Sequence, residues 1–189
     1  MPQFVNEFSQ GWGEVEWSAR SVLAEYAQAG AAERAWDVYL RVVRLRPDDV
    51  TLRLEVARAE ARFGRWSQAA ADYAELLRRR PESDAEVWFE SACLCQLADD
   101  RDGYAKTRAA VLRRAEVKHD LRPFLVARAC TLAPEAADLD RAARIAAEEL
   151  AGMRDQYAGL TQQAALEVRA GHPDKAVPLL RQCLKGFPY

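Results

Sequence analysis

No CxxC pair occurs in the 189 residues, neither His119 nor His172 has a second histidine nearby, and no uncharged apolar run approaches the ~20 residues needed to span a bilayer. Each absence removes a class of function. Cys93, Cys95, Cys130 and Cys183 include only a C-x-C, whose two side chains would point to different sides of a helix. Metal or redox chemistry is therefore a poor reading, and small buried thiols in reducing conditions are the expectation. The two histidines fall at helix boundaries, where a solvated or capping role is expected. There is no GxGxxG, GxxxxGK[ST], GxSxG or HExxH, so no phosphate loop, nucleophile elbow or zinc helix is nominated. Asp48-Asp49, Asp99-Asp100 and Glu148-Glu149 are read as helix caps and solvated faces rather than as acid-base pairs. The expectation is no catalytic residue, no metal and no cofactor. A net charge of -2 is too near balance for wholesale attraction to nucleic acid or to an acidic membrane. MPQFVNEFSQ has no basic segment followed by an apolar run, and the chain as given reads as cytoplasmic.

Glycine (9) and proline (8) are also few, and they stand at regular places in a half-hydrophobic, 30% charged chain, which points to ordered helices. Gly64 to Pro81, GRWSQAAADYAELLRRRP, reads as a helix with Ala69, Tyr73, Leu76 and Leu77 on one side, a glycine before it and a proline ending it. The same features recur 34 residues earlier at Gly30, Ala35, Tyr39 and Pro47. Asp140 and Ala142 likewise stand 34 residues before Asp174 and Ala176. A 34-residue period with small, aromatic and proline positions at fixed offsets predicts pairs of antiparallel helices.

With Val50 as position one, Ala57, Gly64, Ala69, Tyr73 and Pro81 occupy the positions favoured in tetratricopeptide repeats, and on these residues the chain resembles that family. Trp88 stands where the family usually has its tryptophan. The resemblance implies an all-α, right-handed superhelical α-solenoid of about five helical hairpins. Its repeats would cover about 16–49, 50–83, 84–117, 119–154 and 155–188, in a domain of 16–189 with a 1–15 extension or cap carrying Phe4, Val5, Phe8 and Trp12. In the third repeat Asp99-Asp100 replaces the turn glycine and the second helix is expected to start at Gly103-Tyr104. Pro123 and Pro134 bracket a short helix in the fourth. In the fifth, Asp174 is expected as an N-cap and Pro178 in the tolerant first turn. Val177, Leu180, Leu184 and Phe187 make the last helix apolar, so either the natural protein continues or this end packs on another molecule.

The same resemblance implies a concave groove lined by the first helices of successive repeats. Carried onto matching positions it contains Trp17, Arg20, Ala24 and Gln28, then Thr51, Leu54, Arg58 and Arg62, then Phe89, Gln96 and Leu97, and finally Thr161, Val168 and Arg169. Arg58 and Arg62, one turn apart, would grip a carboxylate or phosphate while Leu54 and Phe89 hold a side chain; the alternative is that these arginines are merely solvated. Asn6 is the only asparagine and lies outside the repeats, which argues against the lysine and asparagine carboxylate clamp of some family members. Arg78, Arg79 and Arg80 oppose a helix C-terminal dipole, and acidic residues interleaved through every repeat argue against RNA. The expected function is a non-catalytic interaction scaffold or adaptor that binds a peptide or helix of another protein, one of acidic character, with no nucleic acid and no membrane. The alternatives are a self-associating homo-oligomer built through uncapped terminal repeats, or a regulatory or docking piece of a larger enzyme.

Overall fold

A computed structural model of the chain describes residues 49–133, 138–153 and 156–185. The expected 1–15 extension, most of the first repeat, Pro134 and Phe187 lie outside the described residues. Every element described is a helix: α1 (Val50–Arg62), α2 (Trp66–Arg79), α3 (Ala85–Leu97), α4 (Arg101–Lys118), α5 (Pro123–Cys130), α6 (Leu139–Gly152), α7 (Tyr157–Arg169) and α8 (Pro173–Lys185). The fold is the all-α array of helical hairpins that the 34-residue period predicts. By compactness the chain divides into Met1–Ala59 and Glu60–Tyr189.

In the first unit the described residues are the start of α1. Asp49 accepts the Leu52 amide at 3.1 Å, the acidic cap expected after Pro47, and Leu52, Val56 and Ala57 are buried.

In the second unit, Gly64 takes a left-handed φ of 72° in the turn from α1 to α2, where the Arg65 amide donates back to the Glu60 carbonyl at 2.9 Å. Beyond it α2 turns Ala69, Tyr73, Leu76 and Leu77 inward, all buried, and packs against α3. Fully buried alanines recur on both layers, Ala92 and Ala127 on the first helices and Ala69, Ala142 and Ala146 on the second, because a methyl group lets two backbones approach closely. The first helices α3, α5 and α7 pack side by side, and the second helices close the other layer, with α4 beside α6 and α8 against α7.

Three local expectations change. Asp99 itself adopts the left-handed conformation expected of a glycine (φ 53°), and Asp100 caps α4 by accepting the Gly103 amide at 2.8 Å. The helix therefore begins at Arg101, ahead of Gly103. Asp174 is not the N-cap of α8 but lies in its first turn, one residue after Pro173, while His172 supplies the carbonyl that receives Lys175 and Ala176. Pro178 consequently stands inside the helix rather than in its first turn, and the carbonyl one turn before it loses an amide partner. The helix continues through it and packs against α7.

Long-range polar contacts join successive hairpins. Arg114 of α4 holds Asp120 through both carboxylate oxygens (3.0 and 2.7 Å) and also donates to the backbone carbonyls of Pro81, Glu82 and Ser83 in the α2–α3 connection. Glu149 of α6 accepts the Phe124 amide at the start of α5 and pairs with Arg122 at 3.2 Å. That carboxylate is an N-cap supplied from the neighbouring helix. Tyr104 donates from α4 to the Ala129 carbonyl of α5 at 2.9 Å, and Arg141 ties α6 to Glu116 of α4.

Candidate functional site

The first-helix layer of the second unit carries the surface where sequence and structure meet. On α3, Phe89 and Cys93 are half-buried and Leu97 is exposed; on α5, Arg128 is exposed; on α7, Val168 is exposed and Arg169 half-buried. The Arg128 guanidinium lies 4.7 Å from the Phe89 ring centre and 5.7 Å from that of Phe124, whose own ring is buried. One turn further, Thr131 folds its hydroxyl back onto the Arg128 carbonyl. Its backbone carbonyl receives Arg169 Nε at 3.0 Å, and its hydroxyl receives the buried Gln162 amide at 3.2 Å. A polar seam between α5 and α7 thus fixes Arg169, while the rings of Phe89 and Phe124 hold Arg128.

The expected groove residues distribute as follows. Phe89, Leu97, Val168 and Arg169 fall on this layer, with Phe89 serving as the bed for Arg128. Gln96 is half-buried and lines a recess of about 270 Å³ with Asp99, Asp100, Arg101, Tyr104 and Arg108. Thr161 turns its hydroxyl to the Tyr157 and Ala158 carbonyls of its own helix. Leu54 is half-buried and Thr51, Arg58 and Arg62 are exposed along α1. Trp17, Arg20, Ala24 and Gln28 lie outside the described residues.

The described cysteines are quiet in chemical terms. Cys95, Cys130 and Cys183 are buried, and desolvation pushes the Cys130 thiol up to about 12, where it is neither nucleophile nor ligand. Cys93 is also raised, by burial first, with Arg128 pulling the other way and Glu90 adding to the rise. Glu75 falls to about 2 because Arg78 and Arg79 both hydrogen-bond to it. Among the described residues no group of three histidine, cysteine or acidic side chains converges as a metal site, and no helix is long and apolar enough to cross a membrane.

Solved structures share the helical fold. The fold is that of MamA. MamA 41-end from Desulfovibrio magneticus RS-1 superposes with a TM-score of 0.60 at 12% identity, covering 88% of this chain and 92% of that one. A crystal structure of MamA protein gives 0.60 at 14% identity over 92% of each chain, and a MamA RS-1 ArsTM double mutant 0.60 at 12%, over 88% and 91%. At such identities the likeness to MamA is one of fold. No family model matches the chain, and no curated protein matches it in sequence.

Arg128 is the residue that repeat spacing did not nominate. It lies in the most divergent repeat, where α5 is short and starts at Pro123. The available signal was an arginine one turn after Phe124 on the same helix, a spacing that places the two on one face.

Proposed function

We propose that the chain is a non-catalytic interaction scaffold whose first-helix layer receives an extended peptide or a helix of another protein. The observation that carries this reading is the exposed Arg128 lying on the Phe89 and Phe124 rings in the first-helix layer, with Leu97 exposed on α3 and Val168 exposed on α7. Acidic side chains on every described helix pair keep that surface from becoming a continuous basic track for nucleic acid. In this reading residues 1–15 cap the array formed by 16–189, and the protein works in the cytoplasm without a cofactor.

The test is site-specific photocrosslinking in cells of the intact chain, with a benzoylphenylalanine at Leu97 or Val168 and, as control, at the exposed Val117 of α4. Discrete protein adducts from the first two positions and none from Val117 support the reading. Equal capture from all three, or none from Leu97 and Val168, sinks it.

A second reading, self-association, rests on α8, where Val177 (44%), Leu180 (42%) and Leu184 (61%) are exposed together. By the 34-residue period Leu180 and Leu184 correspond to Ala146 and Leu150 of α6, which are buried where α7 packs on α6.

A further inference from the structure

We infer that Arg128, lying on the rings of Phe89 and Phe124, is the group with which the first-helix layer reads a carboxylate of an acidic peptide segment. The inference rests on that layer being the partner-binding face and names the chemistry it selects. Three arginines of the second unit spend their forks within the protein: Arg114 on Asp120 and three carbonyls, Arg122 on Glu149, Arg141 on Glu116 and Asp138. The Arg128 guanidinium, by contrast, donates to no acceptor among the described residues, although it is held in place by two rings from α3 and α5.

Stacking against a ring face leaves the N–H edge of a guanidinium directed away from the ring, and a carboxylate fits that edge bidentately. Because Phe124 is buried and Phe89 half-buried, the bed is fixed and little side-chain freedom remains to be lost on binding. Arg169 adds a second positive group from α7: its Nε is anchored on the Thr131 carbonyl, and its terminal nitrogens donate to no described residue. Glu90 sets the limit of the field. Its carboxylate accepts from Tyr73, and it flanks Cys93 opposite Arg128 in charge, so the surface suits a monoanion better than a dianionic phosphate. The C-terminal dipole of α5 is the competing account of why an arginine stands here. A dipole role predicts an effect on stability and none on anion binding.

The experiment follows the arginine Nε–Hε NMR resonances of the intact chain titrated with a capped hexaglutamate peptide, a capped hexaglutamine peptide and inorganic phosphate at matched ionic strength. Arg128→Gln identifies the resonance. The expected result is a shift of the Arg128 signal by hexaglutamate alone, an affinity lowered about tenfold in Arg128→Gln and by less in Arg128→Lys, and unchanged thermal unfolding of both variants. Binding of hexaglutamate equal in wild type and Arg128→Gln, equal shifts with hexaglutamine, or tighter binding of phosphate overturns the assignment. If crosslinks from Leu97 and Val168 persist unchanged in Arg128→Gln, the binding layer stands and the arginine's role falls. Absence of those crosslinks in the wild type removes the layer itself, and the inference with it.

Discussion

Glu60 carries a carboxyl group into a nearly closed space, 7% exposed, at the end of α1. Burial pushes its titration up from 4.5 to about 7, the Asp72 carboxylate adds to the rise, and Arg65 offsets part of it. The folded protein therefore holds this proton more tightly than the unfolded chain. Its stabilising contribution is complete below about pH 4.5, is withdrawn as pH rises, and is gone above about 7. Glu60→Gln is expected to stabilise the fold at pH 8 by about 1–3 kcal/mol and to leave it unchanged at pH 4, as read by urea unfolding at the two pH values. A variant no more stable than wild type at pH 8 would contradict the assignment. Single positions differ in how far they can be read without a fold. Gly64 was legible as a helix boundary because a left-handed backbone is a local demand that glycine meets without strain. Asp99, read as part of the pair that replaces the turn glycine, meets the same demand with a side chain that only tolerates it. The charge state of Glu60 was not legible, because it depends on what closes over the group.

Helices in this protein are joined less by their own caps than by groups lent from neighbours. Arg114 is the strongest case: one side chain, 11% exposed, serves Asp120 and three carbonyls of the α2–α3 connection. Arg114→Ala leaves those carbonyls without donors and is expected to destabilise by about 2 kcal/mol, or about 4–8 °C in Tm for a chain of this size, by calorimetry. Arg114→Lys, which keeps the charge but lacks the fork, should recover only part of the loss. A Tm within one degree of wild type for Arg114→Ala would show the contacts to be incidental. The short α5 shows the same logic, since Pro123 starts it and Glu149 of α6 takes the Phe124 amide that a local cap would otherwise hold. The proline was readable as a boundary from its fixed φ; the capping carboxylate, 25 residues away, was not. Pro178 marks the opposite failure. Counting the first turn from Asp174 rather than from Pro173 made it harmless on paper, whereas α8 carries it in its interior.

For the molecule as a whole the open question is what meets the exposed apolar face of α8. In the self-association reading, sedimentation velocity of the intact chain shows a concentration-dependent dimer or larger species, and Leu180→Glu/Leu184→Glu returns it to monomer. A wild type that stays monomeric throughout the concentration series ends that reading and leaves the first-helix layer as the interaction surface. The sequence alone determined that the chain is helical, that its helices pair, and which side of each turns inward. Those properties follow from side-chain spacing, small residues and turn formers, all of which act within a few residues. Only the tertiary structure decided that Arg128 rests on Phe89, that Arg169 hooks the Thr131 carbonyl, and that Glu149 closes α5. Such contacts depend on how far one hairpin slides and turns against the next, and that offset is set by the packing of whole faces, which no residue spacing along the chain encodes.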